Sequence, residues 1–211
     1  MKAYVVVAGN IGVGKSTLVK IMHERLGWEP FYEAVVENPY LADFYADMPR
    51  WAFHSQLFFL TRRLQAHHQL LLRPGIVVQD RSVYEDAEIF ARNLFRQGQM
   101  SERDYATYCE LYEVLKLFLP PPQLVVYLQA SVEVLLKRIA LRGREYEKGI
   151  QPEYLARLNE LYAEWAAGFQ LAPILTVPAD RLDFVLYDRD LELVLDKIQQ
   201  QLRGDQYVLF E

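Results

Sequence analysis

Residues 9–17, Gly9-Asn10-Ile11-Gly12-Val13-Gly14-Lys15-Ser16-Thr17, satisfy the phosphate-binding pattern G-x-x-x-x-G-K-[ST] at every position. Gly9, Gly12 and Gly14 let successive backbone N–H groups turn inward around an anion. The helix expected after them adds its unsatisfied N–H groups and the positive end of its dipole. Lys15 is placed to reach the β- and γ-phosphates of a nucleoside triphosphate, and the Ser16 hydroxyl to hold Mg²⁺. Asn10 and Thr17 complete the cradle. The ligands implied are a nucleoside triphosphate and Mg²⁺, and the open question is where the γ-phosphate goes.

The flanks supply the elements this loop needs. Residues 3–8 (AYVVVA) form a short Val-rich apolar run, as a buried parallel strand should. Leu18, Ile21, Met22 and Leu26 then recur at helical spacing. Strand candidates at 4–8, 30–33, 75–80, 124–128 and 174–177 alternate with helices expected at 15–26, 38–47, 50–72, 83–97, 102–118, 131–142, 152–169 and 188–203. That alternation predicts an α/β fold: a five-stranded parallel sheet with helices on both faces. Ser101 with Asp104, and Asn38 before Pro39, read as helix starts. Pro120-Pro121-Pro122 ends the fifth helix. No linker or repeat interrupts the pattern, so residues 1–211 are expected to form one domain.

Composition narrows the partners. The net charge of −5 gives no basic footprint for nucleic acid. No apolar run approaches the roughly 20 residues of a membrane span. The single cysteine, Cys109, excludes an internal disulfide and fits a reducing cytoplasm. His67 and His68 have no third ligand nearby in sequence, so a histidine metal site is not expected.

Ligands of such sheets sit at the carboxyl ends of the strands. There the sequence places Glu33, with Glu37 four residues on, then Asp80-Arg81-Ser82, and a helix ending in Arg138, Arg142 and Arg144. The guanine-reading Asn-Lys-x-Asp of small GTPases is absent. Asp80 followed at once by Arg81 suits a small-molecule phosphotransferase. The carboxylate orients metal-bound water, and the guanidinium neutralises the transferring group or holds the acceptor.

In order and approximate spacing, the phosphate loop, Glu33, Arg50-Trp51 with Gln56, Asp80-Arg81-Ser82 and Arg142-Gly143-Arg144-Glu145-Tyr146-Glu147 resemble the deoxynucleoside kinases. Asn38-Pro39-Tyr40-Leu41 and Asp80-Arg81-Ser82-Val83-Tyr84-Glu85-Asp86 are most similar to the bacterial deoxyadenosine/deoxycytidine kinases. The resemblance runs from residue 3 to about 180 and implies a P-loop kinase fold with an arginine lid. It implies transfer of the γ-phosphate of ATP to the 5′-hydroxyl of a deoxynucleoside, with Glu33 as general base and Lys15, Arg81, Arg142 and Arg144 assisting. Arg138 and Arg142 would bind the phosphates, and Ser16 and Asp80 the metal. Tyr45 and Glu147 would hold the sugar 3′-hydroxyl. Gln56, Arg63 and Asp86 would read the base, as in members that take adenine, guanine or cytosine, with Trp51, Phe59 and Phe90 sandwiching it. Residues 177–184, with Asp180, Arg181 and Asp183, match the adenine-contacting loop loosely. The family is commonly dimeric, and the apolar stretches at 50–72 and 83–97 are the surfaces expected to supply a homodimer interface.

Two rival readings exist. A thymidylate-type monophosphate kinase needs arginines near the second strand, and residues 28–49 contain none. A regulatory ATP-binding module without turnover would leave Glu33, Arg81 and the late arginines as a costly charge cluster with no task.

Overall fold

The computed structural model describes residues 2–32 and 38–204. Glu33 and Glu37, the two acidic candidates after the second strand, lie outside the described residues, as does the tail from 205 onward.

Five strands form one parallel sheet: β1 (Ala3–Gly9), β2 (Glu29–Phe31), β3 (Ile76–Asp80), β4 (Leu124–Gln129) and β5 (Ile174–Pro178), in the order β2-β3-β1-β4-β5. The expected sheet is therefore present. Every residue of β1 is buried, because the strand is central and covered on both faces. Its Val-rich sequence is what that position demands. The edge strands carry the prolines, Pro30 in β2 and Pro178 in β5, where a missing N–H costs least.

The helices are α1 (Lys15–Leu26), α2 (Leu41–Ala46), α3 (Met48–Leu71), α4 (Val83–Glu85), α5 (Arg92–Arg96), α6 (Glu102–Lys116), α7 (Val132–Arg142), α8 (Pro152–Gly168) and α9 (Asp188–Arg203). Helix α1 packs against β1, β2 and β3, and α9 against β4 and β5. Helix α9 returns beside α1, where Arg25 and Asp188 approach to 3.8 Å.

Three expectations need correction. The predicted 38–47 helix starts only at Leu41. Asn38 does not cap it; its side-chain oxygen accepts from the Tyr40 N–H at 2.9 Å, closing a turn before the helix. Helix α3 begins at Met48, because Asp47 takes a non-helical backbone and its carboxylate accepts from the Arg50 N–H, with Pro49 in the first turn. The 83–97 helix is interrupted: Asp86–Ala91 is a π-helical segment between α4 and α5. Ser101 behaves as predicted, its hydroxyl accepting from the Asp104 N–H at 3.1 Å.

Connections from β1 and β3 leave in opposite directions across the sheet. The crevice between the carboxyl ends of those two strands is the topological switch point, where a ligand is expected.

Candidate active site

The phosphate loop lies at that crevice. Gly9 sits beside Leu128 of β4 in the register, with φ 142°, and a Cβ there would come within 2.6 Å of the Leu128 carbonyl oxygen. Gly12 has φ 81°, and a Cβ there would meet Ile139 Cγ1 at 2.6 Å. Both positions combine close packing with a backbone that only glycine adopts without strain. Gly14 caps α1, and Thr17 faces the cavity beyond it. The Asn10 side chain turns away from the crevice and anchors the loop. Its Nδ2 donates to the Leu155 carbonyl at 3.0 Å and to Asn159 Oδ1 at 2.8 Å, both on α8. Lys15 is buried, and its Nζ donates to the Asn10 carbonyl at 3.0 Å.

The β1–β3 register sets Asp80 beside Val7, so its carboxylate reaches the start of α1. The Ser16 hydroxyl donates to Asp80 Oδ2, while Asp80 Oδ1 is buried with no hydrogen-bond partner. A hydroxyl and an acidic oxygen with spare acceptor capacity, beside Lys15, fit a hard divalent cation shared with phosphate oxygens. Among the described residues no cluster of three or more His, Cys, Asp or Glu side chains could hold a metal by protein ligands alone.

Arg81 follows at φ 65°, the one non-glycine residue with positive φ among those described. Such a conformation costs about 1–3 kcal/mol and persists only where the surroundings enforce it. It turns the guanidinium into the crevice, 4.1 Å above the ring of Phe90.

Beyond Arg81 opens a cavity of about 240 Å³. Tyr45, Gln56, Phe59, Asp86, Phe90 and Glu147 all line it, so six predicted acceptor-side residues meet in one place. Gln56 Oε1 is buried without a hydrogen-bond partner, as a base-reading amide would be before its ligand arrives. Arg63 grips Asp86 with two parallel bonds, Nε to Oδ2 at 2.9 Å and Nη2 to Oδ1 at 3.0 Å, and its Nη1 donates to the Asp80 carbonyl at 3.1 Å. The pair is almost wholly buried and joins α3 to the start of the π-helical segment. Trp51 does not line the cavity; it packs on Tyr40 with ring centroids 5.7 Å apart.

A left-handed Gly143 ends α7 and turns Arg142 and Arg144 back toward Glu147. Arg142 holds both Glu147 oxygens at 2.6–3.1 Å, and Arg144 approaches Oε1 at 3.5 Å. Arg138 takes a different position from its helical neighbour Arg142. It donates to the Val13 carbonyl of the phosphate loop at 2.8 Å and to the Ala179 carbonyl after β5 at 3.0 Å. Of the loosely matched 177–184 loop, Asp180 accepts from the Ser131 N–H, and Asp183 from the Val185 and Leu186 N–H groups.

A second cavity lies on the other side of the loop, floored by Gly12, Gly14 and Thr17 and walled by Phe184, Val185 and Leu186. It shares Lys15, Ser16, Arg142 and Arg144 with the first. Two chambers meeting at a lysine, a hydroxyl and two arginines are arranged for passing an anionic group from one ligand to another.

The deoxynucleoside kinase family profile matches residues 5–203. The chain belongs to the deoxynucleoside kinase family. It is thus an ATP-dependent phosphotransferase that phosphorylates deoxynucleosides at the 5′ position, and the monophosphate-kinase and non-catalytic readings give way to this one. This deoxynucleoside kinase is 38% identical to the deoxyadenosine/deoxycytidine kinase of Bacillus subtilis (strain 168) over 204 residues, 96% of this chain and 94% of that one. It is 36% identical to a deoxyguanosine kinase of Lactobacillus acidophilus over 208 residues, covering 94% and 90%. The solved deoxyadenosine kinase of M. mycoides with bound dATP superposes with a TM-score of 0.82 at 31% identity, over 93% of this chain and 99% of that one.

Tyr154 and Glu85 are among the residues of the site that were not singled out in the sequence. Tyr154 on α8 lines the acceptor cavity, its hydroxyl pushed up to about 12 by burial. Glu85, fully buried, accepts from the backbone N–H groups of Gly9 and Ser82. Ser82-x-x-Glu85 is a capping-box pattern legible in sequence, but the reach to Gly9 is not.

Proposed function

We propose that the enzyme prefers deoxyadenosine as acceptor, with deoxycytidine and deoxyguanosine weaker. The observation that carries this reading is the acceptor cavity, in which the Gln56 amide and the Arg63-gripped Asp86 face a space flanked by Phe59 and Phe90. A carboxylate held in fixed orientation accepts from an exocyclic amine, and the Gln56 amide both donates and accepts. Adenine and cytosine offer an amine beside a ring acceptor, and thymine does not.

In this reading the triphosphate lies along the loop with its base against Leu141, Val185 and Leu186. Lys15 and the arginines at the junction hold its terminal phosphate. Ser16 and Asp80 would hold Mg²⁺, which would supply charge neutralisation on the phosphate oxygens. Tyr45 and Glu147, the latter fixed by Arg142, hold the sugar 3′-hydroxyl. Arg81 holds the 5′-oxygen, and Glu33 accepts its proton as the oxygen bonds to the γ-phosphorus and the bond to the β–γ bridging oxygen breaks, releasing ADP. Arg142 and Arg144 act as a lid that, on closure, bonds phosphate oxygens through the N–H donors not spent on Glu147.

We also propose a cytoplasmic homodimer that binds no nucleic acid. The exposed apolar residues support a modified interface. Residues 83–94 are mostly buried within the chain, whereas Val114, Leu117 and Phe118, at and just beyond the end of α6, are exposed. Light scattering of the purified protein checks the mass.

The acceptor preference is tested by incubating the protein with ATP, Mg²⁺ and each nucleoside in turn and quantifying the monophosphates. Deoxyadenosine is expected to give the highest kcat/KM. Preference for thymidine would refute the assignment of Gln56, Arg63 and Asp86.

A further inference from the structure

We infer that Glu85 is a positioning residue for phosphate binding: from the end of α4 it fixes the first hinge of the phosphate loop and offsets two cations that converge there. The inference rests on the kinase reading and adds a residue to it.

Glu85 is 0% exposed, yet each of its oxygens is used. Oε1 accepts from the Gly9 N–H at 3.2 Å and from the Tyr162 hydroxyl at 2.8 Å. Oε2 accepts from the Ser82 N–H at 2.8 Å and from the Ser82 hydroxyl at 3.2 Å. One carboxylate therefore ties together the end of β1, the turn after β3 and helix α8. Gly9 is the residue at which β1 passes into the phosphate loop, with a φ of 142°. Lys15 and Arg81 both act on the Glu85 carboxyl, each favouring its charged form, while Tyr4 and Tyr127 on the neighbouring strands feel its charge. Burial is the largest influence and raises the carboxyl above its ordinary range. Burial thus works against the charged form that the two cations and the Ser82 and Tyr162 bonds favour, an opposition expected of a residue placed for function.

The pattern of bonds makes Glu85→Gln informative. An amide offers a single acceptor oxygen, and each side of Glu85 faces a backbone N–H. Whichever way the amide turns, its NH₂ opposes either Gly9 or Ser82.

Isothermal titration of wild type and Glu85→Gln with ATP, with inorganic tripolyphosphate and with deoxyadenosine tests the inference, alongside thermal unfolding. The expected result is a Kd for ATP and tripolyphosphate weakened about 10- to 100-fold, the worth of one or two bonds to a charged group. The Kd for deoxyadenosine is unchanged, and the unfolding midpoint falls by a few degrees at most, because removal of the buried charge offsets part of the cost of the opposed N–H groups. Equal weakening of all three ligands with a lowered midpoint would make Glu85 merely structural and overturn the inference, as would unchanged ATP affinity. If Glu85→Gln does not fold, Glu85→Asp keeps the charge but shortens the reach to Gly9, and the same split between anion and deoxyadenosine is expected. Wild-type protein that bound tripolyphosphate but phosphorylated no deoxynucleoside would count against the kinase reading and leave this inference standing.

Discussion

Replacing Arg63 by leucine perturbs two properties whose separation tests the base-reading site. Arg63 and Asp86 are 5% and 3% exposed, bonded twice to each other. Removing the arginine strands a carboxylate in a low-dielectric setting, which costs about 3–5 kcal/mol. For a chain of this size that corresponds to a fall in Tm of about 6–20 °C. The lost bond from Arg63 to the Asp80 carbonyl adds to it. Adding Asp86→Leu removes the stranded charge, so the double variant should recover most of the lost stability. Function should not recover with it. Without an oriented carboxylate the deoxyadenosine kcat/KM falls about 100-fold in both variants, since a bond to a charged group is worth about 1.5–3 kcal/mol. The KM for ATP, whose proposed chamber lies on the other side of the phosphate loop, is expected to stay unchanged. Differential scanning fluorimetry and a coupled kinase assay measure both quantities. A double variant that phosphorylates deoxyadenosine like wild type would refute the reasoning, leaving the pair as a structural brace.

Three further predictions concern other parts of the molecule. Burial holds His67 down at about 4, against an ordinary 6.5, so the folded state binds fewer protons than the unfolded chain and stability falls as pH drops from about 6.5 to about 4. The loss is on the order of 3 kcal/mol and should be absent in His67→Phe, read from urea midpoints against pH; parallel slopes would contradict it. Gly12→Ala places a methyl 2.6 Å from Ile139 Cγ1 at a positive φ, and should abolish ATP binding by calorimetry while destabilising the fold by about 1–3 kcal/mol. Glu33→Gln should keep ATP binding and lose about 100-fold or more in kcat; near-normal turnover would transfer the proton-accepting role to Glu37 or remove it.

What the sequence disclosed divides by range. The phosphate loop is legible because its chemistry is local: glycines, lysine and serine lie within nine residues between a Val-rich strand and an amphipathic helix. The parallel sheet is legible because buried strands leave short apolar runs. The partnership of Arg63 with Asp86 spans 23 residues, and only the resemblance to known kinases pointed to it. Boundaries slipped where side chains compete with helix geometry, as Asn38 does by bonding to Tyr40 and Asp47 by capping α3. The left-handed backbone of Arg81 has no sequence mark, since glycine is the residue expected there. Likewise Arg138 and Arg142, four apart on α7, suggested a shared grip, but one fastens the loop to the chain after β5 and the other embraces Glu147.

The π-helical segment Asp86–Ala91 has an evolutionary consequence. Wide turns of this kind arise when a single residue is inserted into a regular helix, and they concentrate where a side chain must be re-aimed. Deleting one residue there would let the wide turn close into a regular helix, with Arg92 onward nearly in place but Asp86 and Phe90 no longer aimed at the same cavity. A homologous gene carrying a one-residue gap in this stretch should accordingly keep the fold and differ in substrate range.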